Sequence, residues 1–160
     1  MDKIILIAGP TGVGKTAASV SVAKKIGGEI ISADSMQIYR KMDIGTAKIM
    51  PDEMKGIPHH LIDIVEPYDE FSVKDFDDLS KAAIKEISGR SNIPVIAGGT
   101  GLYINAIVYD MDYNKVTTDS EIRNELWKYY EEKGTEELYN ILMKKKKKKK
   151  IEKQNIKRVI

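Results

Sequence analysis

Eight residues near the start of the chain, Gly9-Pro-Thr-Gly-Val-Gly-Lys-Thr16, have the types and spacing needed to hold a phosphate. They match G-x-x-x-x-G-K-[ST], in which the glycines let successive backbone N–H groups turn toward an anion. Lys15 brings a mobile positive charge and Thr16 a hydroxyl suited to Mg²⁺. A helix opening near Lys15 adds its positive dipole end. Gly9, Pro10, Thr11, Gly12, Val13, Gly14, Lys15 and Thr16 together form the candidate phosphate or diphosphate site, with Thr16 on the metal side. The pattern leaves open which molecule carries the phosphate.

Two other stretches hold reactive groups. Asp34, in Ser32-Ala-Asp-Ser-Met-Gln-Ile-Tyr-Arg40, is a carboxylate suited to general-base work or to outer-sphere support of a metal. Its spacing also suits a helix N-cap. Gly98-Gly-Thr-Gly101 offers backbone amides and the Thr100 hydroxyl, and also reads as a plain tight turn. His59 and His60 are adjacent, so in a strand they diverge; with no cysteine and no further histidine they do not suggest a zinc site.

The elements that position these groups follow from periodicity. Residues 3–8 read as a buried strand, and Ala18, Val22 and Ile26 as the apolar face of a helix stopped by Gly27 and Gly28. Residues 29–32 read as a second strand. Strand, helix and strand in about thirty residues predict a βαβ unit, a parallel sheet and a right-handed crossover. Asp34 and the second glycine turn then fall at carboxyl ends of strands, where open α/β sheets bind ligands.

Further along, residues 42–48 form a turn-rich loop, residues 51–55 a short helix and residues 59–65 a third extended segment. Ser72 and Asp75 form a capping box opening a helix with Phe76, Leu79, Ala83 and Ile87 inward. Residues 93–97 read as a strand with Pro94 at its start, followed by an apolar helix over residues 102–108. A polar break over residues 110–115 marks a domain boundary. Beyond it lie a capping box over residues 118–121, a helix burying Ile122, Leu126 and Tyr130 that ends at Gly134, and another helix from Thr135.

Composition narrows the class. The chain has 160 residues, is 42% apolar, and has no apolar run approaching a membrane span. Its N-terminal apolar run of about six residues lacks a signal-peptide layout, so the expected location is cytoplasmic. With zero cysteines, disulfides, thiolate metal sites and a cysteine nucleophile are excluded. The net charge of +2 is unevenly spread. Residues 1–119 carry 13 Lys/Arg and 17 Asp/Glu, while residues 120–160 carry 13 and 7, seven of those bases in the run 144–150. A nucleic-acid contact is therefore expected through the C-terminal part. A like-charge block also reads as a merely solvated face.

Five stretches in one order resemble the tRNA dimethylallyltransferases, also called tRNA isopentenyltransferases. They are Gly9-Pro-Thr-Gly-Val-Gly-Lys-Thr16, Ser32-Ala-Asp-Ser-Met-Gln-Ile-Tyr-Arg40, Met42-Asp-Ile-Gly-Thr-Ala-Lys48, Pro58-His-His-Leu-Ile-Asp63 and Pro94-Val-Ile-Ala-Gly-Gly-Thr-Gly-Leu-Tyr103. Asn155-Ile-Lys-Arg-Val-Ile160 resembles the start of a sixth. The resemblance covers residues 3–108 without a gap. The run 144–150 departs from the mixed helical segment usual in the family, whose chains continue past residue 160; the chain is expected to be an N-terminal part.

The resemblance implies an α/β fold: a P-loop NTPase-like three-layer core with a parallel sheet over residues 1–110. It also implies the start of a helical, tRNA-contacting insertion over residues 111–160. The implied reaction is prenyl transfer, with the phosphate loop holding dimethylallyl diphosphate and Mg²⁺ as cofactor. The acceptor is the exocyclic N6 of the adenosine just 3′ of the anticodon, flipped into a channel. By position, Asp34 is implied as the base for the N6 proton and Thr100 as a hydrogen-bonding group at the reacting centre and the tRNA. Ser35, Met36 and Gln37 would line the adenosine side, and Arg123, Lys157 and Arg158 would contact tRNA, with Arg123 reaching tRNA or diphosphate. The expected state is a monomer with no membrane attachment.

Two other readings compete. A small-molecule or nucleoside kinase shares the ATP-binding loop and parallel sheet. Such enzymes bring an arginine-bearing lid over the nucleotide, whereas Arg40 and Arg90 are the only arginines in residues 1–119. A non-catalytic phosphate-loop module that only binds RNA would not need Asp34 and Thr100.

Overall fold

The computed structural model describes residues 3–109 and 120–145. The chain divides into two compact units, Met1–Asp112 and Tyr113–Ile160.

In the first unit, strands β1 (Ile5–Ala8), β2 (Gly28–Ser32), β3 (His59–His60) and β4 (Ile93–Gly98) form a parallel sheet in the order β1-β4-β2-β3. The last of these four strands thus lies between the first two. The sheet is parallel as the βαβ unit predicts, and helix α1 (Lys15–Ile26) joins two strands that are not neighbours, crossing over the position that β4 fills. Ladder pairing continues to Ala8↔Gly98 on one side of β4 and to Ser32↔Ala97 on the other. Three carboxyl ends therefore finish level at one edge.

Alternation along the strands produces three layers. Ile30 and Val95 pack with Val20 and Ala23 of α1 on one face. On the other face, Ile31 and Ile96 pack with Phe76, Ile84 and Ile87 of α3 (Val73–Gly89) and with Tyr103 of α4 (Gly101–Tyr109). Phe76 and Tyr103 stack with ring centroids 4.0 Å apart. Burial pushes the Tyr103 hydroxyl up to about 12. Among the described residues, no helix is long and apolar enough to cross a membrane.

Several elements depart from the periodicity reading. The buried face of α1 is Ser19, Val20 and Ala23, while Ala18 is exposed and Val22 and Ile26 are half-buried. Helix α1 starts directly from the glycine loop, so the loop sets its rotation, and small residues let it lie close to the sheet. In α3 the capping box forms, with Ser72 N–H donating to Asp75 Oδ2 at 2.8 Å and Asp75 N–H to Ser72 Oγ at 3.2 Å. Leu79, however, is 42% exposed, and Ser80 and Ile84 take the inward positions on the 3.6-residue period. In the extended segment expected over residues 59–65, His59 and His60 pair as a strand and Val65 makes an isolated parallel bridge to Tyr39. Leu61 and Asp63 adopt φ of 61° and 55°, which no strand tolerates. Pro94 is the second residue of a central strand. It fits because the ladder to β1 begins only at Val95.

Gly98 explains how β4 can lie between β1 and β2. A Cβ there would stand 2.1 Å from the Ala33 carbonyl oxygen, which is backbone and cannot swing away. Gly98→Ala is therefore expected to force β2 and β4 apart at the edge bearing Asp34. Urea unfolding should show a loss of about 1–3 kcal/mol or more.

In the second unit, α5 (Ser120–Lys145) is broken at Gly134, where φ 78° and ψ 178° divide it into two helices. Trp127 and Tyr130 meet edge to face at 5.7 Å. Leu126 and Tyr130 are half-buried, but Ile122 is 54% exposed. Ile122 sits in the first turn, ahead of that aromatic pair. Thr118 and Asp119 of the expected capping box lie outside the described residues, as do the lysines from 146 onward.

Candidate phosphate-loop active site

The level strand ends form one side of a cavity of about 390 Å³. Gly12 and Gly14 adopt φ of 86° and 84°, a left-handed conformation that side chains disfavour, and Gly14 is the N-cap of α1. The turn so made places Thr11, Gly12, Gly14, Lys15 and Thr16 on the cavity wall. Lys15 Nζ donates to the Pro10 carbonyl oxygen at 2.6 Å, which holds the ammonium across the loop. Val13 is 60% exposed beside it.

The second glycine turn packs directly on this loop. A Cβ on Gly99 would lie 3.1 Å from the Gly9 carbonyl oxygen and 3.8 Å from Lys15 Nζ. The glycines of this turn therefore serve close backbone approach, to Ala33 at Gly98 and to the first loop at Gly99. Thr100 N–H donates to Ala33 O at 3.2 Å, its Oγ1 accepts from Ser35 N–H at 2.9 Å, and its hydroxyl lies 3.2 Å from Ser35 Oγ. Thr100 thus ties the second glycine turn to the turn that carries Asp34.

Asp34 and Gln37 both line the cavity. Asp34 Oδ1 accepts from Met36 N–H at 2.9 Å and from Gln37 N–H at 3.3 Å, so one oxygen caps its own turn. Its other oxygen, Oδ2, has no hydrogen-bond partner among the described residues. The capping oxygen and the unpartnered one are thus different atoms of one carboxylate. Ser35, Met36 and Thr100 stand beside the cavity and not on its wall. Arg123 is on α5 in the second unit, and Lys157 and Arg158 lie outside the described residues.

The opposite wall was not legible from spacing. Thr46 and Ala47 of the turn-rich loop reach the cavity, as do Ile49 just after it, Glu53 of helix α2 (Pro51–Met54), His59 and Ile62. His59 lies against the Ile57 carbonyl oxygen at 2.8 Å through Nδ1. Burial lowers its pKa despite that contact, and neighbouring His60 lowers it further, which favours the neutral ring. His60 points to the other face, with Nε2 at 2.7 Å from Glu29 Oε2. The adjacent histidines diverge as period-2 alternation requires.

Lys48 anchors that loop. Its side chain is 3% exposed, and Nζ donates to Tyr39 O at 2.7 Å, to Asp43 Oδ1 at 2.8 Å and to Asp63 Oδ1. Burial pulls its pKa down, but the hydrogen bonds and charges of Asp43 and Asp63 outweigh this and raise it, so the buried group stays charged. Gln37 Nε2 donates to Ala47 O at 3.2 Å, joining the Asp34 turn to the same loop.

A glycine loop capping a helix at the carboxyl edge of a parallel sheet, with helices on both faces, defines a phosphate-loop α/β protein. The IPP transferase family model matches residues 37–160. The chain belongs to that family. It is 50% identical over 161 residues to the tRNA dimethylallyltransferase of Geobacillus thermodenitrificans, covering 99% of this chain and 51% of that protein. The tRNA dimethylallyltransferase of Finegoldia magna is 51% identical at the same coverage. Among solved structures, the full-length tRNA isopentenylpyrophosphate transferase of Bacillus halodurans superposes with TM-score 0.71 at 46% identity, over 99% of this chain and 53% of that one. A eukaryotic dimethylallyltransferase acting on tRNA superposes with TM-score 0.69 at 30% identity, over 99% and 40%. The chain spans about half the length of the curated relatives it matches.

Proposed function

We propose that the protein of which this chain is the phosphate-loop part transfers a dimethylallyl group from dimethylallyl diphosphate to N6 of the adenosine 3′-adjacent to the anticodon of tRNA, releasing diphosphate. The observation that carries this is the meeting of three groups at one strand edge: the phosphate loop, the Asp34 turn and the Gly98–Gly101 turn, joined by Ser35 N–H to Thr100 Oγ1 at 2.9 Å. The names of the relatives point the same way. A kinase can also carry a carboxylate base beside such a loop, so this meeting supports an acceptor site next to a phosphate site and the product test below decides which group is transferred.

In this reading the allylic C–O bond breaks and its electron pair leaves on the diphosphate. The loop amides and Lys15 face the negative charge that grows there, usually the largest catalytic term. The N6 lone pair forms the new C–N bond, and Asp34 Oδ2 takes the N6 proton. Thr100 fixes the turn that presents Asp34, and Ser35, Met36 and Gln37 stand on the nucleoside side. The acceptor base must leave its stack to enter such a site, so RNA context supplies selectivity.

The oxygen donors Thr16, Ser32 and Asp34 share the cavity wall, a donor set that fits a hard divalent cation bound mainly through substrate phosphates. Thr16 would hold Mg²⁺, which when bound neutralises diphosphate charge. The tRNA-contacting role of the helical region over residues 111–160, with Arg123, Lys157 and Arg158, belongs to the same proposal, as do a monomeric state and a cytoplasmic location.

The test uses protein extended to the length of its relatives, incubated with unmodified tRNA and either labelled dimethylallyl diphosphate or ATP. Prenylated adenosine is the expected product. A phosphorylated product with ATP identifies a kinase, and tight RNA binding without turnover identifies a binding module.

A further inference from the structure

Part of the cavity wall comes from the loop over residues 42–48, through Thr46 and Ala47; this loop has no regular secondary structure, yet it is tied at both ends. Lys48 N–H donates to Asp43 O at 3.2 Å and Ala47 N–H to Ile44 O at 3.3 Å, closing the loop on itself. Ala47 does so with φ 47°, a conformation that residues other than glycine adopt only when their surroundings impose it. The surroundings here are the buried ammonium of Lys48 and its three partners. Tyr39 O follows the Asp34 turn, Asp43 opens the loop and Asp63 follows β3. Asp63 N–H in turn donates to Gln37 O at 3.2 Å.

We propose that Lys48 is a positioning residue for the acceptor side of the site: its ammonium holds the 42–48 loop so that Ala47 O orients the Gln37 carboxamide toward the cavity. This rests on the reading above, in which Gln37 faces the acceptor nucleoside. Gln37 lines the cavity and its Nε2 is engaged by Ala47 O, while Oε1 has no hydrogen-bond partner among the described residues and is left to accept from an N–H of the substrate base. Nothing in this chain of contacts touches Lys15 or Thr16. Loss of Lys48 is therefore felt on the nucleoside side and not on the diphosphate side.

Steady-state kinetics of the full-length form test this with Lys48→Met, Gln37→Ala and the double variant, beside thermal unfolding of each. Lys48→Met is expected to raise the KM for tRNA about tenfold while the KM for dimethylallyl diphosphate changes less than twofold. The double variant should be no worse than Gln37→Ala alone, because residues acting through one contact do not add. Lys48→Arg, which keeps the charge, should recover part of the loss. Side-chain amide NMR of Gln37 supplies a readout independent of turnover: its resonance should move in Lys48→Met and return toward its place in Lys48→Arg. Multiplicative losses in the double variant, equal rises in both KM values, or an unmoved Gln37 amide would overturn the proposal. If Lys48→Met fails to fold, Asp43→Asn removes one arm at an exposed position, and a smaller but equally one-sided rise in the tRNA KM is then required. A wild-type protein that does not prenylate tRNA refutes the function and leaves the amide test of the loop standing.

Discussion

Asp34→Asn is expected to lower prenyl transfer as far as Asp34→Ala does, by about 10²–10⁴-fold, the usual worth of a positioned base. The comparison matters because the proposed function gives Asp34 a second purpose beside capping. Oδ1 caps the turn through Met36 and Gln37 N–H, and asparagine retains such an oxygen. What asparagine lacks is a carboxylate to take the N6 proton. If capping were the whole contribution, Asp34→Asn would run near the wild-type rate and only Asp34→Ala would fail. Single-turnover measurement with labelled dimethylallyl diphosphate decides between them. Equilibrium binding of diphosphate should be nearly unchanged in both variants, since the proposed function has the anion held by the first loop.

The second large effect lies away from the cavity. Glu29 is 4% exposed on β2, yet it is charged. Arg90 Nη2 donates to it at 2.8 Å, Asn92 Nδ2 at 2.8 Å, and His60 Nε2 lies at 2.7 Å. Burial alone would raise its pKa, but the hydrogen bonds from Arg90, Asn92 and His60 win and hold it at about 2. These contacts join β2, β3 and the turn between α3 and β4. Glu29→Ala leaves that polar set without its acceptor and is expected to cost about 3 kcal/mol in urea unfolding at neutral pH, the scale of hydrogen bonds lost to a charged group, since Arg90 itself remains partly exposed.

The pH dependence follows with a definite sign. A carboxyl titrating at 4.5 when unfolded and at about 2 when folded stabilises the fold above pH 4.5. That stability is lost as the pH falls from 4.5 through 2, a change of about 3 kcal/mol by linkage. Stability measured between pH 5 and 2 should fall by that much more in the wild type than in Glu29→Gln, which has no carboxyl to protonate. Equal slopes in the two proteins would remove Glu29 from the account.

Much of this protein is legible in the sequence because local chemistry suffices for it. The glycine loop needs positive φ at Gly12 and Gly14 and a helix at once behind them, and eight consecutive residues specify both. The Ser72–Asp75 capping box and the glycine stop at Gly27 are likewise local. That Asp34 and Thr100 sit at strand ends follows from the βα alternation alone.

Only the tertiary structure decides what lies beside what. Placing β4 between β1 and β2 depends on backbone contact between Gly98 and Ala33, sixty-five residues apart in sequence, and no periodicity encodes it. The same contact brings Thr100 to Ser35 and so converts two separate signals into one site. The rotation of α1, the exposure of Leu79 and the burial of Lys48 are also outcomes of packing. A lysine at the end of an irregular loop looks solvated until Asp43, Asp63 and Tyr39 O close around it. Residue types and spacing determine which chemistry is available; long-range packing determines which groups share a cavity, because that choice is made by contacts between segments that are far apart in the chain.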